Sequence, residues 1–194
     1  SYFMMSLEQA LGKIGYSLSL HLITDYELSN QLLPASFHIQ NTDAILALEI
    51  FNRNYCEFLC TLGKPILFSD IYSTFTQGDL SADILVADNY TASVKLYSSV
   101  IEDCKPKSIG FLGDPDYSLS FQDRFKGFLS VTQKYGFSDS YKNHSIISNI
   151  QNFQNDIWMQ NKFKTLEIPN LLVCANDILA MKALTCLERL NIKV

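Results

Sequence analysis

Residues able to recognise a small molecule fall at the ends of apolar runs. Asp70 closes PILFSD, Asp88 and Asn89 close ILVADN, Gly113 and Asp114 close SIGFLGD, and Asn176 and Asp177 close NLLVCAND. In open parallel α/β sheets, ligands sit beyond the carboxyl ends of the strands. As a converging set, these ends would form a cleft rich in hydrogen-bond acceptors, suited to a polyhydroxylated ligand. For any single one of them, capping of the following helix is the stronger reading, because Asp and Asn are preferred N-caps. The cation that stands out is Arg124, on a segment whose apolar positions Phe121, Phe125, Phe128 and Leu129 recur at helical spacing. It falls on the margin of that stripe, in the first turns, where the helix dipole disfavours a positive charge. An anionic or strongly hydrogen-bonding partner would compensate; a salt bridge to Asp123 or Asp114 would do so equally.

Other chemistries find less support. No GxGxxG, GxxxxGK[ST] or GxSxG occurs, so dinucleotide, phosphate-loop and nucleophile-elbow readings fail. Paired carboxylates on one helix face, as a general acid/base site needs, do not stand out. The five cysteines, Cys56, Cys60, Cys104, Cys174 and Cys186, contain no CxxC pair and are an odd number, which fits reduced thiols better than a disulfide framework. Cys56 and Cys60 have a spacing that could hold a metal, but His21, His38 and His144 are scattered and complete no ligand set. Trp158, Phe153 and Phe163 fall at helical spacing and read as core packing. The chemistry is that of a binder, with no cofactor and no catalytic group expected.

The elements that must position these residues alternate. Ser1–Gly15 reads as an amphipathic helix, with Phe3, Leu7, Ala10, Leu11 and Ile14 on one face, and Tyr16–Ile23 as a strand. After a weakly patterned polar stretch, Asp43–Leu48, Pro65–Asp70 and Ile84–Ala87 read as strands, with helices at Asn52–Leu62 and Tyr90–Ile101 and a loop over 71–82. The rhythm restarts with strands at Ser108–Leu112, Asn143–Ser148 and Asn170–Ala175, and helices at Leu119–Tyr135, Ile150–Leu166 and Ile178–Leu190. Strand–helix alternation implies right-handed crossovers and parallel sheets covered on both faces. The polar junction Asp103-Cys104-Lys105-Pro106-Lys107 marks where a second sheet could begin. The expected organisation is therefore two α/β lobes, residues 1–106 and 107–194.

Composition sets the outer bounds. Of 194 residues, 47% are hydrophobic and 18% charged, enough for a sizeable core and outside the disordered and coiled-coil classes. Eight glycines and five prolines favour short connections. A net charge of −5 with no basic run excludes counterion-releasing contact with nucleic acid through these residues. No stretch approaches the ~18 apolar residues of a membrane span, and no leader opens the chain, so a cytoplasmic location is expected.

The segment Ser108-Ile-Gly-Phe-Leu-Gly, followed by Ser118-Leu-Ser-Phe-Gln-Asp-Arg124-Phe-Lys-Gly127-Phe128, resembles a signature of the lactose/galactose-repressor (LacI/GalR) family. Ile168-Pro169-Asn-Leu-Leu-Val-Cys-Ala-Asn176-Asp177-Ile-Leu-Ala180 is similar to that family's "P.ai.c.nD..A". Tyr2-Phe3 before Gly15-Tyr16, then Asp43-Ala-Ile, Lys64-Pro65-Ile-Leu and Asp88-Asn89, match further motifs in order, so the resemblance covers nearly the whole chain. It implies a type I periplasmic-binding-protein-like effector domain of two lobes, each a parallel sheet with helices on both faces. A small molecule, a sugar or nucleobase, would sit in the cleft between the lobes. Arg124 would hydrogen-bond the effector, with Asn176 and Asp177 on the opposite wall and Asp70, Asp88 and Asn89 supplied by the first lobe. The expected partners are a sugar effector, a second copy in a homodimer, DNA only through an N-terminal helix-turn-helix absent from this sequence, and no membrane. Against the family pattern, the strand expected before Ser1 and the strands expected after Val194 are absent, and Lys105-Pro106-Lys107 replaces "Ghr". A cytoplasmic sugar-responsive regulator is thus the leading expectation. An extracellular sugar-binding protein of a transporter is the alternative, and an α/β enzyme comes third.

Overall fold

The structure, a computed structural model, describes residues 2–72 and 78–193; residues 73–77 of the expected loop lie outside it. The chain forms two compact units, Ser1–Asp43 and Ala44–Val194.

The first unit holds helix α1 (Tyr2–Lys13) and the short helix α2 (Asp25–Asn30). Gly15 follows α1 at φ 85°, as the sequence suggested for a helix stop. Thr24 and Glu27 form a reciprocal capping box at the start of α2, satisfying donors that an isolated helix leaves orphaned. Tyr16–Ile23, expected as a strand, joins no ladder. Its apolar side chains Tyr16, Leu20 and Leu22 stand 52%, 69% and 80% exposed, so the alternating pattern finds no face to bury.

The second unit carries two three-stranded parallel sheets. In the first, β1 (Ile45–Ile50), β2 (Ile66–Ile71) and β3 (Asp83–Leu85) lie in that order, with Ile45 opposite Ile66 and Ile50 opposite Ile71. Helix α3 (Arg53–Cys60) connects β1 to β2 and buries Tyr55, Cys56 and Leu59. Helix α4 (Asn89–Cys104) follows β3 and leads to the second sheet.

That second sheet has the order β5-β4-β6, where β4 is Ile109–Gly113, β5 is Ile146–Ile147 and β6 is Leu171–Cys174. The central strand β4 is buried at all five positions, which explains its uninterrupted apolar sequence. Its helices are α5 (Leu119–Lys134), α6 (Asp156–Thr165) and α7 (Asp177–Arg189). Phe111, Phe128, Phe153, Met159 and Phe163, all at most 1% exposed, form the centre of its core.

Two expected elements are shorter than their sequence suggested. The strand foreseen over Asn143–Ser148 is reduced to two paired residues, because a 3-10 turn (Tyr141–His144) occupies its start. The helix foreseen from Ile150 begins as a 3-10 turn (Ile150–Gln154), and α6 starts only after Asn155, whose side chain accepts from the Trp158 amide. Asn155 prefers to cap a helix rather than continue one.

Two glycines bring elements together more closely than any side chain would allow. A Cβ at Gly110 would lie 1.8 Å from the His144 carbonyl oxygen, so the turn before β5 can lie against β4 only because residue 110 has none. A Cβ at Gly127 would lie 2.9 Å from Ser93 Cβ, and this bare patch on α5 is where α4 packs.

Candidate functional site

Apart from Arg124 in α5, the expected site residues lie at strand ends or at the helix starts that follow them. Asp70 is the penultimate residue of β2 and holds φ 53°, a left-handed conformation that non-glycine residues rarely adopt. Its carboxylate reaches the second sheet's helix α5. It accepts from the Ser120 amide at 3.2 Å and from the Ser120 hydroxyl at 2.6 Å. Glu49, one residue before the end of β1, has the matching backbone conformation at φ 55°. Two adjacent strands therefore end in the same uncommon turn, the sort of local strain that persists where surrounding structure over-determines it.

Helix α5 begins at a buried serine pair. Ser118 is the N-cap and accepts from the Phe121 amide at 3.3 Å, while its hydroxyl bonds the Ser120 hydroxyl at 2.9 Å. One turn after Ser120, and so on the same helix face, stands Arg124. It donates to the Ala175 carbonyl at the end of β6 (2.6 Å) and to Asn89 Oδ1 at the start of α4 (3.2 Å). Its guanidinium also lies 6.0 Å from the Phe121 ring centroid. Neither Asp123 nor Asp114, the salt-bridge partners weighed from sequence, takes this role. Asp123 lies 3.8 Å from Lys126, and Asp114 accepts from the amides of Asp116 (3.1 Å) and Ile150 (2.7 Å). The partner that compensates the misplaced charge is a backbone carbonyl, reinforced by an amide side chain.

Asp70, Asn89 and Arg124 are thereby brought around one cavity of about 150 Å³, lined also by Ser69, Ser120 and Asp123. Asn176 and Asp177 line a neighbouring groove of about 640 Å³, to which Arg124 and Asn89 also contribute. Asn176 caps α7 by accepting from the Leu179 amide, and the exposed Asp177 accepts from the amide of Ile178. Asp88 caps α4 and contributes to neither lining. Its bonds to the Thr91 amide and hydroxyl hold its carboxyl below the usual range. The capping reading thus describes Asp88 and Asn176, whereas Asp70 bonds across to another element.

Aromatic rings also join the two sheets. Phe51, just after β1, packs against Tyr117 at a centroid distance of 4.5 Å, and Tyr117 against Phe121 at 5.3 Å. Burial pushes the Tyr117 phenol up, and the negative charges of Glu49, Asp70 and Asp114 push it further. Three carboxylates thus act on the Tyr117 phenol. Among the described residues no cluster of His, Cys, Asp or Glu could hold a metal, and no helix is long and apolar enough to cross a membrane. Cys56 is a buried thiol pushed up to about 12, mainly by desolvation.

Sequence reasoning did not single out Ser120 or Glu49, and weighed Asp123 only as a salt-bridge partner of Arg124. Ser120 had a usable signal, its i, i+4 relation to Arg124 at a capped helix start. Glu49 had none, because nothing in its neighbours announces a left-handed backbone.

No protein-family model matches the chain, and no curated protein matches it by sequence. Solved structures do match its fold. A periplasmic binding protein/LacI transcriptional regulator from Alkaliphilus metalliredigens, complexed with D-xylulofuranose, aligns with TM-score 0.64 and 15% identity over 100% of this chain and 68% of its own. A PurR-family transcriptional regulator from Vibrio parahaemolyticus aligns with TM-score 0.63 and 19% identity, over 97% and 70%. A regulatory protein of the LacI family from Chloroflexus aggregans aligns with TM-score 0.73 and 14% identity, over 98% and 66%. This chain therefore spans about two thirds of the length of these structures. It has their α/β fold of parallel sheets flanked by helices, as its sequence motifs led one to expect.

Proposed function

We propose that this chain is the effector-sensing part of a LacI-type transcription regulator, taking a small, polar, hydroxyl-rich molecule between its two sheets. The observation that carries this reading is the convergence of Asp70, Asn89, Ser120 and Arg124 on one cavity, supplied from the ends of both sheets. Carboxylate, amide, hydroxyl and guanidinium together offer both donors and acceptors, the mixture that a sugar's hydroxyls can satisfy. The fold neighbours support the regulator class, and the sugar in one of them supports the ligand class.

The cavity of about 150 Å³ is small beside the roughly 300–1,000 Å³ of typical ligand pockets. Ligand entry on this reading widens it, by loosening the Phe51–Tyr117 contact that joins the two sheets. Asn176 and Asp177 then serve the adjoining wall, and Asp88 fixes the start of α4 that presents Asn89. The function is binding and signalling in the cytoplasm, not catalysis, and DNA contact belongs to another segment of the protein. A homodimer fits the outward face of α7, where Ile178, Met181 and Leu184 stand 60%, 67% and 46% exposed.

The test is a thermal-shift panel of neutral pentoses, hexoses and nucleosides, followed by calorimetry on any hit. At least one sugar should raise the melting temperature in a saturable way, and Arg124→Lys should weaken it at least tenfold. A panel without a saturable hit contradicts the ligand class, and unchanged affinity in Arg124→Lys removes Arg124 from the site.

A further inference from the structure

We propose that Asp70 makes this cleft reject anionic ligands, by seating the protein's own carboxylate where a ligand's negative group would otherwise bind. The inference rests on the effector-cleft reading and deepens it, from a polar ligand to an uncharged one. Helix α5 has 16 residues, and its first turn presents the amide and hydroxyl of Ser120 to β2, with the buried Ser118 hydroxyl bonded to that of Ser120. Such a helix start attracts negative charge through its unpaired amides and its dipole. Here the place is already taken by a carboxylate from a strand fifty residues earlier, bonded through the Ser120 amide at 3.2 Å and hydroxyl at 2.6 Å.

Among the described residues, the rest of the cavity adds only Arg124 as a positive charge. Its lining holds two carboxylates, Asp70 and Asp123, against the single guanidinium of Arg124. That guanidinium is itself engaged, by the Ala175 carbonyl and Asn89. Glu49 and Asp114 act on the neighbouring Tyr117 together with Asp70. A phosphate or carboxylate entering the cavity would meet two carboxylates against one guanidinium. A neutral polyol would instead find acceptors for its hydroxyls. Asp70 holds the carboxylate here from an uncommon left-handed backbone at φ 53°, a conformation that persists where the surrounding structure over-determines it.

The experiment uses inorganic phosphate as the probe, measured by calorimetry on the full chain as wild type, Asp70→Gly and Asp70→Ser. Glycine relieves the backbone conformation while vacating the seat; serine is a second, uncharged replacement should the first fold poorly. Wild type should show no saturable phosphate binding at millimolar concentration, and both variants should bind it about tenfold or more tightly, the scale of a charge at a helix start. Saturable phosphate binding to wild type overturns the proposal, as does a lack of gain in the folded variants. A parallel arm compares the panel's sugar hit with its phosphate monoester on wild type, where the ester should bind at least tenfold more weakly. If no neutral sugar binds, the effector reading fails on its own, while the phosphate arm still reports whether Asp70 blocks the anion seat.

Discussion

Replacing Arg124 tests whether it is a strut as well as the proposed ligand group. Its two bonds tie the end of β6 to the start of α4, at 2.6 Å to the Ala175 carbonyl and 3.2 Å to Asn89. Hydrogen bonds from a charged donor contribute about 1.5–3 kcal/mol each, and a buried carbonyl left without its donor costs about 1–3 kcal/mol. Ala175 is fully buried, so water does not readily replace the lost donor. Arg124→Ala should therefore destabilise the chain by about 3 kcal/mol, which for a protein of this size lowers the melting temperature by roughly 6–12 °C. Arg124→Lys keeps the charge but not the fork, and reaching only one acceptor should lose about half as much. Scanning calorimetry without ligand measures both. An alanine variant that melts within about 2 °C of wild type would refute the strut, as would a lysine variant no more stable than alanine.

Further outcomes follow from close packing and titration. Gly110→Ala places a Cβ 1.8 Å from the His144 carbonyl and should cost more than about 4 kcal/mol, enough to lose soluble, cooperatively melting protein; normal expression and melting would contradict that approach. Under native conditions at neutral pH, the exposed Cys104 should react with a thiol reagent first, while Cys56, pushed up to about 12, should stay silent until denaturant is added. The raised phenols of Tyr97 and Tyr117 favour the folded state fully below their unfolded pKa of about 10, and that contribution fades as pH rises through the folded values. Denaturant melts should accordingly weaken above about pH 10, and Tyr117→Phe should flatten the decline.

Much of the architecture was legible because βα alternation writes itself twice, in apolar runs and in the polar caps that follow them. β4, β6, α5 and α7 fall within a residue or two of where their sequence places them, since each is bounded by Ser, Asn or Asp with a preferred capping role. Tyr16–Ile23 shows the weakness of pattern alone: alternation qualifies a segment for a ladder but supplies no partner. The site was legible as a list of residues but not as a set of bonds. Asp70 and Arg124 were visible as chemistry at a strand end and a helix start. Their partners were not, because Ser120 lies fifty residues from Asp70 and the Arg124 acceptor is a backbone carbonyl that no residue type encodes. The conformation of Glu49 was equally hidden, since glutamate is not among the residues that usually signal a left-handed turn.

The measurement closest to the central claim is amide hydrogen exchange with and without the sugar hit at saturating concentration. Protection is expected to concentrate at residues 69–70, 86–89 and 119–124, the segments that line the cavity. Protection confined to other segments, with these unchanged, would contradict a ligand held between the two sheets.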